Sequence, residues 1–167
     1  EEFELNFIQN GAGVRRIVGD SVEEIGDYDL VLVGAKQLEH VWEQGRCTSK
    51  DIREITIQFS PDLFSGEMLS KNQFSSIRKM LDDARYGIAF PMTAIMKVYS
   101  ILDSLVFDDE RFMQFLKFLY LLYELSISGE YRVLASSSFA KTEEREESSR
   151  VKKVKHYIEE HYADQIA

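Results

Sequence analysis

A single cysteine, Cys47, stands among 167 residues, which excludes a disulfide framework and a cysteine-built zinc site within the chain. Its polar setting, Gly45 to Lys50, offers neither a helix start nor a basic cluster that would activate a thiol. A chain without internal disulfides suits a reducing cytoplasm. Long apolar runs are missing as well. The most apolar stretch, Phe112 to Leu125, is interrupted by Gln114, Lys117 and Glu124 and falls short of the ~20 residues needed to span a bilayer. The chain opens Glu1-Glu2-Phe3-Glu4, with no Met and no basic-then-apolar leader, and looks clipped inside a strand. Positive charge is scarce: 20 Lys+Arg face 29 Asp+Glu, a net charge of -9. On average, such a surface repels a phosphate backbone. What is plentiful is apolar: 44% hydrophobic and 12% aromatic residues predict a packed core, on a length that suits one compact domain with room for a small appendage.

The first third reads as strands. Phe3, Leu5 and Phe7 alternate with Glu4, Asn6 and Ile8, a period of two that sends the two sets to opposite faces. Turn residues at Asn10 to Gly13 and at Gly19-Asp20 separate strands at Val14 to Val18 and Ser21 to Ile25. Leu30 to Val33 is a continuous apolar run suited to a strand buried on both faces. His40 to Trp42 and Ile52 to Phe59 complete about six short strands, a spacing that predicts a sandwich or barrel.

Pro61 ends this β region, and the period becomes helical. Phe74, Ile77, Met80 and Leu81 share one face of a first helix, which Gly87 should stop. Pro91 fits the first position of a second, with Ile95, Val98, Tyr99, Leu102, Leu105 and Val106 on its stripe. Asp108 or Asp109 can cap a third, whose stripe reads Phe112, Phe115, Leu116, Leu119, Leu122 and Tyr123. Met113, Phe118, Tyr120, Leu121 and Leu125 lie off that stripe. A helix apolar nearly all round is buried on more than one side, either wrapped by its own domain or shared with a second subunit. The expected homodimer uses Tyr99, Leu102, Phe115, Phe118, Leu119 and Leu122.

From Ser136 to Ser149 the chain is polar, charged and without apolar periodicity, which reads as a linker. Residues 1–149 hold 16 basic and 26 acidic residues, net -10; residues 150–167 hold 4 and 3, net +1. Arg150, Lys152, Lys153 and Lys155 open a final helix with Val151, Val154 and Ile158 on one face. A lone helix of this length is marginal in water, so the segment reads as the first helix of a domain whose remainder is absent.

Residues 150–167, with Val151, Val154, Tyr157, Ile158 and Tyr162 in helical register, resemble the opening helix of the AraC-type DNA-binding domain. The earlier part resembles the cupin-like sensor domain that such regulators carry, with matching pieces at residues 4–8, 11–13, 29–34, 40–42 and 55–60 in the same order. The resemblance implies an α+β fold: a cupin-like double-stranded β-helix (a partial barrel) over residues 1–60, a helical dimerisation region over 61–135, a linker over 136–149, and the start of a helix-turn-helix domain over 150–167. It implies a cytoplasmic bacterial transcription regulator, not an enzyme. The sensor binds a small-molecule effector, with sugars as first candidates, and controls promoter binding by the missing DNA-binding domain. Lys152, Lys153 and Lys155 are candidate phosphate contacts.

Cupin enzymes hold a metal with two or three His and one Glu. Here Glu4 and His40 fall at family positions, but two ligands are too few for a stable site. The enzyme spacing would put a His at Gln37, and no Pro occupies position 32. No metal and no cofactor are therefore expected. Glu4, Asn6, Arg16, His40 and Trp42 become candidates to line a small-molecule pocket, which needs an apolar ring and a few convergent polar groups. Phe3, Leu5 and Phe7, of opposite parity, are assigned to the wall facing the helices. A metal-dependent cupin isomerase or dioxygenase and a stand-alone sugar-binding module are the alternatives.

Overall fold

The computed structural model describes residues 2–34, 38–64 and 66–162, without the side chains of residues 140–144, 147 and 158–162. It is a mixed α+β structure built on two antiparallel sheets, and neither sheet closes on itself. β1 (Phe3–Gln9), β4 (Tyr28–Val33), β6 (Arg53–Phe59), β7 (Ile88–Ala89) and β8 (Arg132–Val133) form one sheet in the order β6-β1-β4-β7-β8. β2 (Arg15–Val18), β3 (Ser21–Glu24) and β5 (His40–Glu43) form the other, in the order β3-β2-β5. The strands expected in the first sixty residues are all present. The two-residue strands β7 and β8 carry no sequence signal, because two residues are too few to show a period.

Alternation in β1 divides the molecule into layers. Phe3, Leu5 and Phe7 join Leu30, Leu32 and Ile88 in a core shared with α1 (Ser75–Asp83), α2 (Met92–Phe107) and α3 (Arg111–Ile127), which is the wall expected of them. Glu4 and Asn6 share their face with Val31 and Val33 of β4 and with Thr56 and Gln58 of β6, as the register requires. Over β4 this second face meets the smaller sheet, while Thr56 and Gln58 on β6 are exposed. Burial of β4 on both faces follows, and its unbroken apolar run is the sequence record of that position.

The helices start and stop close to the expected places. α1 runs into a 3-10 turn ending at Tyr86, and Gly87 reverses the chain at φ 65°. A Cβ there would lie 2.6 Å from the Val18 side chain, so the site demands glycine for both conformation and space. Pro91 precedes α2 as its cap rather than occupying its first turn. Glu110 is the residue before α3, while Asp108 acts from two positions upstream: its carboxylate accepts the Glu110 N–H at 3.1 Å and pairs with Lys117 at 2.7 Å.

One expectation is corrected. The inward stripe of α3 is Phe118, Leu121, Leu122 and Leu125, rotated from the predicted one; Phe112, Leu116 and Tyr123 are exposed. With apolar residues on every side, periodicity cannot choose the inner face, and the packing against α1 and α2 chooses it. The segment read as a linker is helical from Ser137 onward. α4 (Ser137–Tyr162) runs through it without a break. Glu, Lys and Arg are good helix formers, and the Ser136 hydroxyl caps the helix by accepting the Phe139 N–H at 3.2 Å. Val151 and Val154 on α4 are exposed, and the side chain of Ile158 lies outside the described residues. Among the described residues no helix is long and apolar enough to cross a membrane.

Candidate ligand-binding site

The five residues predicted to line a pocket all point into the space between the two sheets. Glu4 and Asn6 come from β1. Arg16 comes from β2, with even parity inward: Arg16 and Val18 are buried and Arg15 is exposed. His40 and Trp42 come from β5, where they pair with Val18 and Arg16. Trp42 packs against both small inter-sheet clusters, one containing Val31 and the other Ile8. Val31 is the register partner of Asn6, and Ile8 follows Asn6 on the same face. The indole is thus a wall beside Asn6.

Two polar groups of residues occupy this space. In the first, the Arg16 guanidinium donates to Asp29 and to Glu23. The Trp42 indole N–H donates to the other Asp29 oxygen at 3.3 Å. Arg132 on β8 closes the set with two bonds to Glu23, at 2.6 and 2.9 Å. Both Arg16 and Asp29 are buried. Burial pushes the Asp29 carboxyl up, opposed by Arg16 and the Trp42 N–H. Glu23 is held below its ordinary range, chiefly by the hydrogen bonds from Arg132, with Arg16 adding to them. Both arms of the Arg16 guanidinium are thus engaged within the protein, one by Asp29 and one by Glu23.

The second group lies toward the open edge at β6. Gln58 donates to Glu4 at 3.0 Å, and His40 Nε2 stands 3.5 Å from the other Glu4 oxygen. Asn6 donates to Glu54 at 2.8 Å and to Thr56 at 3.0 Å. His40 and Trp42 meet edge-to-face at 5.9 Å between ring centres. Glu4, Asn6, His40 and Trp42 are therefore brought together as expected, while Asp29, Glu23, Arg132, Glu54, Thr56 and Gln58 were missed. Strand parity could have found Thr56 and Gln58, which share a face with Glu54. Nothing in the sequence placed Arg132, which lies 109 positions from Glu23.

Among the described residues no group of three or more His, Cys, Asp or Glu is placed to hold a metal ion. Glu4 and His40 form a pair, and Gln37 lies outside the described residues. Cys47 is buried beside Ile8, Val14 and Ile25 as a packing residue. A cleft of ≈ 490 Å³ opens where β6 meets α2 and α3, lined by Thr56, Ile57, Leu105, Arg111 and Phe115.

The chain matches no protein-family model, no curated protein and no solved structure. What the site can do therefore rests on its own chemistry. Its described residues supply an aromatic wall, several acceptors and a buried ion pair.

The Arg132–Glu23 pair makes stability pH-dependent in a defined direction. A carboxylate held low contributes fully above its ordinary value of 4.5 and loses that contribution as pH falls through the lower folded value. Urea unfolding across the acid range is expected to show the loss for the native protein and a flatter dependence for Arg132→Gln. The difference should be about 1 kcal/mol or less, since both partners are partly exposed.

Proposed function

We propose that this chain is the ligand-sensing and dimerisation region of an AraC-type bacterial transcription regulator working in the cytoplasm, with its two sheets serving as a partial cupin-like barrel. It acts by binding, not catalysis. One observation carries the reading: a continuous polar chain, Trp42–Asp29–Arg16–Glu23–Arg132, runs from the inter-sheet space to β8, three residues before the cap of α4. The root of α4 is fastened at the same place. The Ser136 N–H donates to Asp20 at 2.8 Å, which helps to hold the Asp20 carboxyl low, and Ala135 and Phe139 pack with Val18 and Leu38.

A ligand that moves Trp42 would thus load the residues that fix the direction of α4. α4 leads toward the resemblance to a DNA-binding domain, and Lys152, Lys153 and Lys155 are exposed along it, available to phosphates. Base reading would belong to residues following this segment in the full-length protein.

The expected homodimer is retained, on a different surface. Leu102, Phe118 and Leu122 are consumed by the chain's own core and cannot meet a partner. Tyr99, Phe115 and Leu119 are half-buried against that same core, with Tyr99 bonded to Gln9. The outer side of α3 presents Phe112, Met113, Leu116, Tyr120, Tyr123 and Ile127 to solvent. These recur at helical spacing, and a contiguous apolar face of this kind marks an interaction surface.

Electrophoretic mobility shift with the protein extended past Ala167 tests the regulator reading. Binding to the promoter of its own operon, altered by effector, is expected; no promoter binding with or without effectors would overturn it.

A further inference from the structure

β6 is an edge strand of the larger sheet, so no neighbouring strand of that sheet fills the space on its outer side. Its odd-numbered residues face the helices: Phe59 joins their core, and Arg53 reaches Asp103 on α2 at 2.7 Å. Ile55 and Ile57 share that face. They form one wall of the cleft of ≈ 490 Å³ at this edge, which Leu105 and Val106 from the end of α2 and Phe115 from α3 complete.

The walls of the cleft are continuous with the core. Ile55, Ile57, Leu105 and Phe115 are half-buried against the main apolar cluster, while at the rim Val106 is 52% exposed. A concavity of this volume lies in the range of small-molecule sites. A ligand covering such walls removes apolar surface from water, which favours binding without direction.

Direction comes from charge. Among the described residues Arg111 is the one charged side chain lining the cleft. It is exposed, and among the described residues its side chain forms neither an ion pair nor a hydrogen bond. The carboxylates of α2 and of the connection to α3 are held elsewhere, Asp103 by Arg53 and Asp108 by Lys117, each at 2.7 Å. Asp109 and Glu110 precede Arg111 in the chain without pairing to it. The other polar linings are engaged too: the Gln114 amide N–H donates to the Asp108 carbonyl, and the Thr56 hydroxyl accepts from Asn6 at 3.0 Å. An exposed arginine in open water marks nothing by itself. Beside an apolar cleft it offers a planar fork of donors that matches a carboxylate. A cationic ligand would be repelled and a neutral one would leave the guanidinium to water, whereas an anion on an apolar body uses both parts of the cleft.

We infer that this cleft binds a small amphipathic monocarboxylate, with its apolar body against Ile57, Leu105 and Phe115 and its carboxylate on Arg111. No member of the polar chain from Trp42 to Arg132 lines the cleft. The inference therefore does not rest on the inter-sheet space or on the regulator reading.

Isothermal titration of the 167-residue chain with 4-phenylbutyrate, 4-phenylbutan-1-ol and 4-phenylbutylamine holds the apolar body constant and varies the charge. The acid is expected to bind about fivefold more tightly than the alcohol, the value of one exposed charge-assisted pair, and the amine more weakly than either. Arg111→Gln should remove the acid's advantage and leave the alcohol unchanged, whereas Arg111→Lys should keep most of it. Val106→Glu puts a negative charge at the rim and should reverse the order of acid and amine. Circular dichroism should stay native in all three variants, because both positions are exposed. Arg46→Gln, which removes an exposed cation beside the smaller sheet, should leave every affinity alone. No binding of the acid, equal affinity for the three ligands, or an acid preference that survives Arg111→Gln would each overturn the inference. Absence of acid binding, together with self-association that Val106→Glu abolishes, would overturn it in favour of a second copy filling the cleft.

Discussion

Replacing Arg16 by Met is expected to destabilise the protein by about 3–5 kcal/mol, the cost of removing one partner from a buried ion pair. The side chain is 4% exposed and that of Asp29 10%, so neither charge has water as an alternative. Burial already pushes the Asp29 carboxyl up. Without Arg16 the carboxylate would keep only the Trp42 N–H, and Glu23 nearby would oppose it further. Folding would then be linked to proton uptake by Asp29: stability should improve as pH falls and Asp29 is neutralised, opposite in sign to the Glu23 contribution. Urea unfolding at pH 7 and at pH 5 measures both effects. The double variant Arg16→Met/Asp29→Leu should recover most of the loss, because it leaves no unpaired buried charge. A single-variant loss below about 1 kcal/mol would show that solvent reaches the pair and would remove the rigid link proposed between pocket and α4.

Leu122→Glu should abolish cooperative folding, whereas Leu116→Glu/Tyr120→Glu should leave the fold intact and dissociate the proposed dimer. Leu122 is fully buried among α1, α2 and the larger sheet, and a carboxylate there has no partner. Even Leu122→Ala should lose about 2–5 kcal/mol through the cavity left behind. Leu116 and Tyr120 are 40% and 53% exposed, so the monomer makes little use of them. Near-native thermal unfolding and circular dichroism, with sedimentation shifting from dimer to monomer, are expected for the outer-face pair. If the native protein sediments as a monomer at high micromolar concentration, the α3 interface is wrong. If the outer-face variant unfolds, α3 is packed in the opposite sense to that described.

The contrast between these two positions on one helix shows where the sequence stops being informative. Alternation in β1 needed no structure to read: Glu4 and Asn6 had to face away from Phe3, Leu5 and Phe7, and they do. β4 was legible for the same reason, since a strand buried on both faces cannot carry alternation. α3 was not, because a helix apolar on every side fits its neighbours in more than one rotation. The stripe read from periodicity differed from the one that packing selected. The backbone of the segment from Ser136 to Ser149 was not legible either. Its polarity is that of a linker, but polarity sets only where a segment can be exposed, and helix-forming side chains with a Ser136 cap decide its backbone.

The candidate site divides along the same line. Glu4, Asn6, His40 and Trp42 could be gathered from strand parity and family resemblance, because both describe single strands. Arg16 could be placed in the site, though not given its part. Its role in the buried ion pair depends on Asp29 from another sheet and on Glu23, itself gripped by Arg132 from the far end of the chain. By itself, the sequence determined the class of elements, their order and which side chains of each strand share a face, since these follow from local periodicity and composition. Only the tertiary structure decided which charges neutralise each other, which cation stands beside an apolar cleft, and which side of α3 is free. Those depend on how elements distant in the chain are set against one another, and a buried charge or amide acquires its energetic meaning from the group that faces it across that gap.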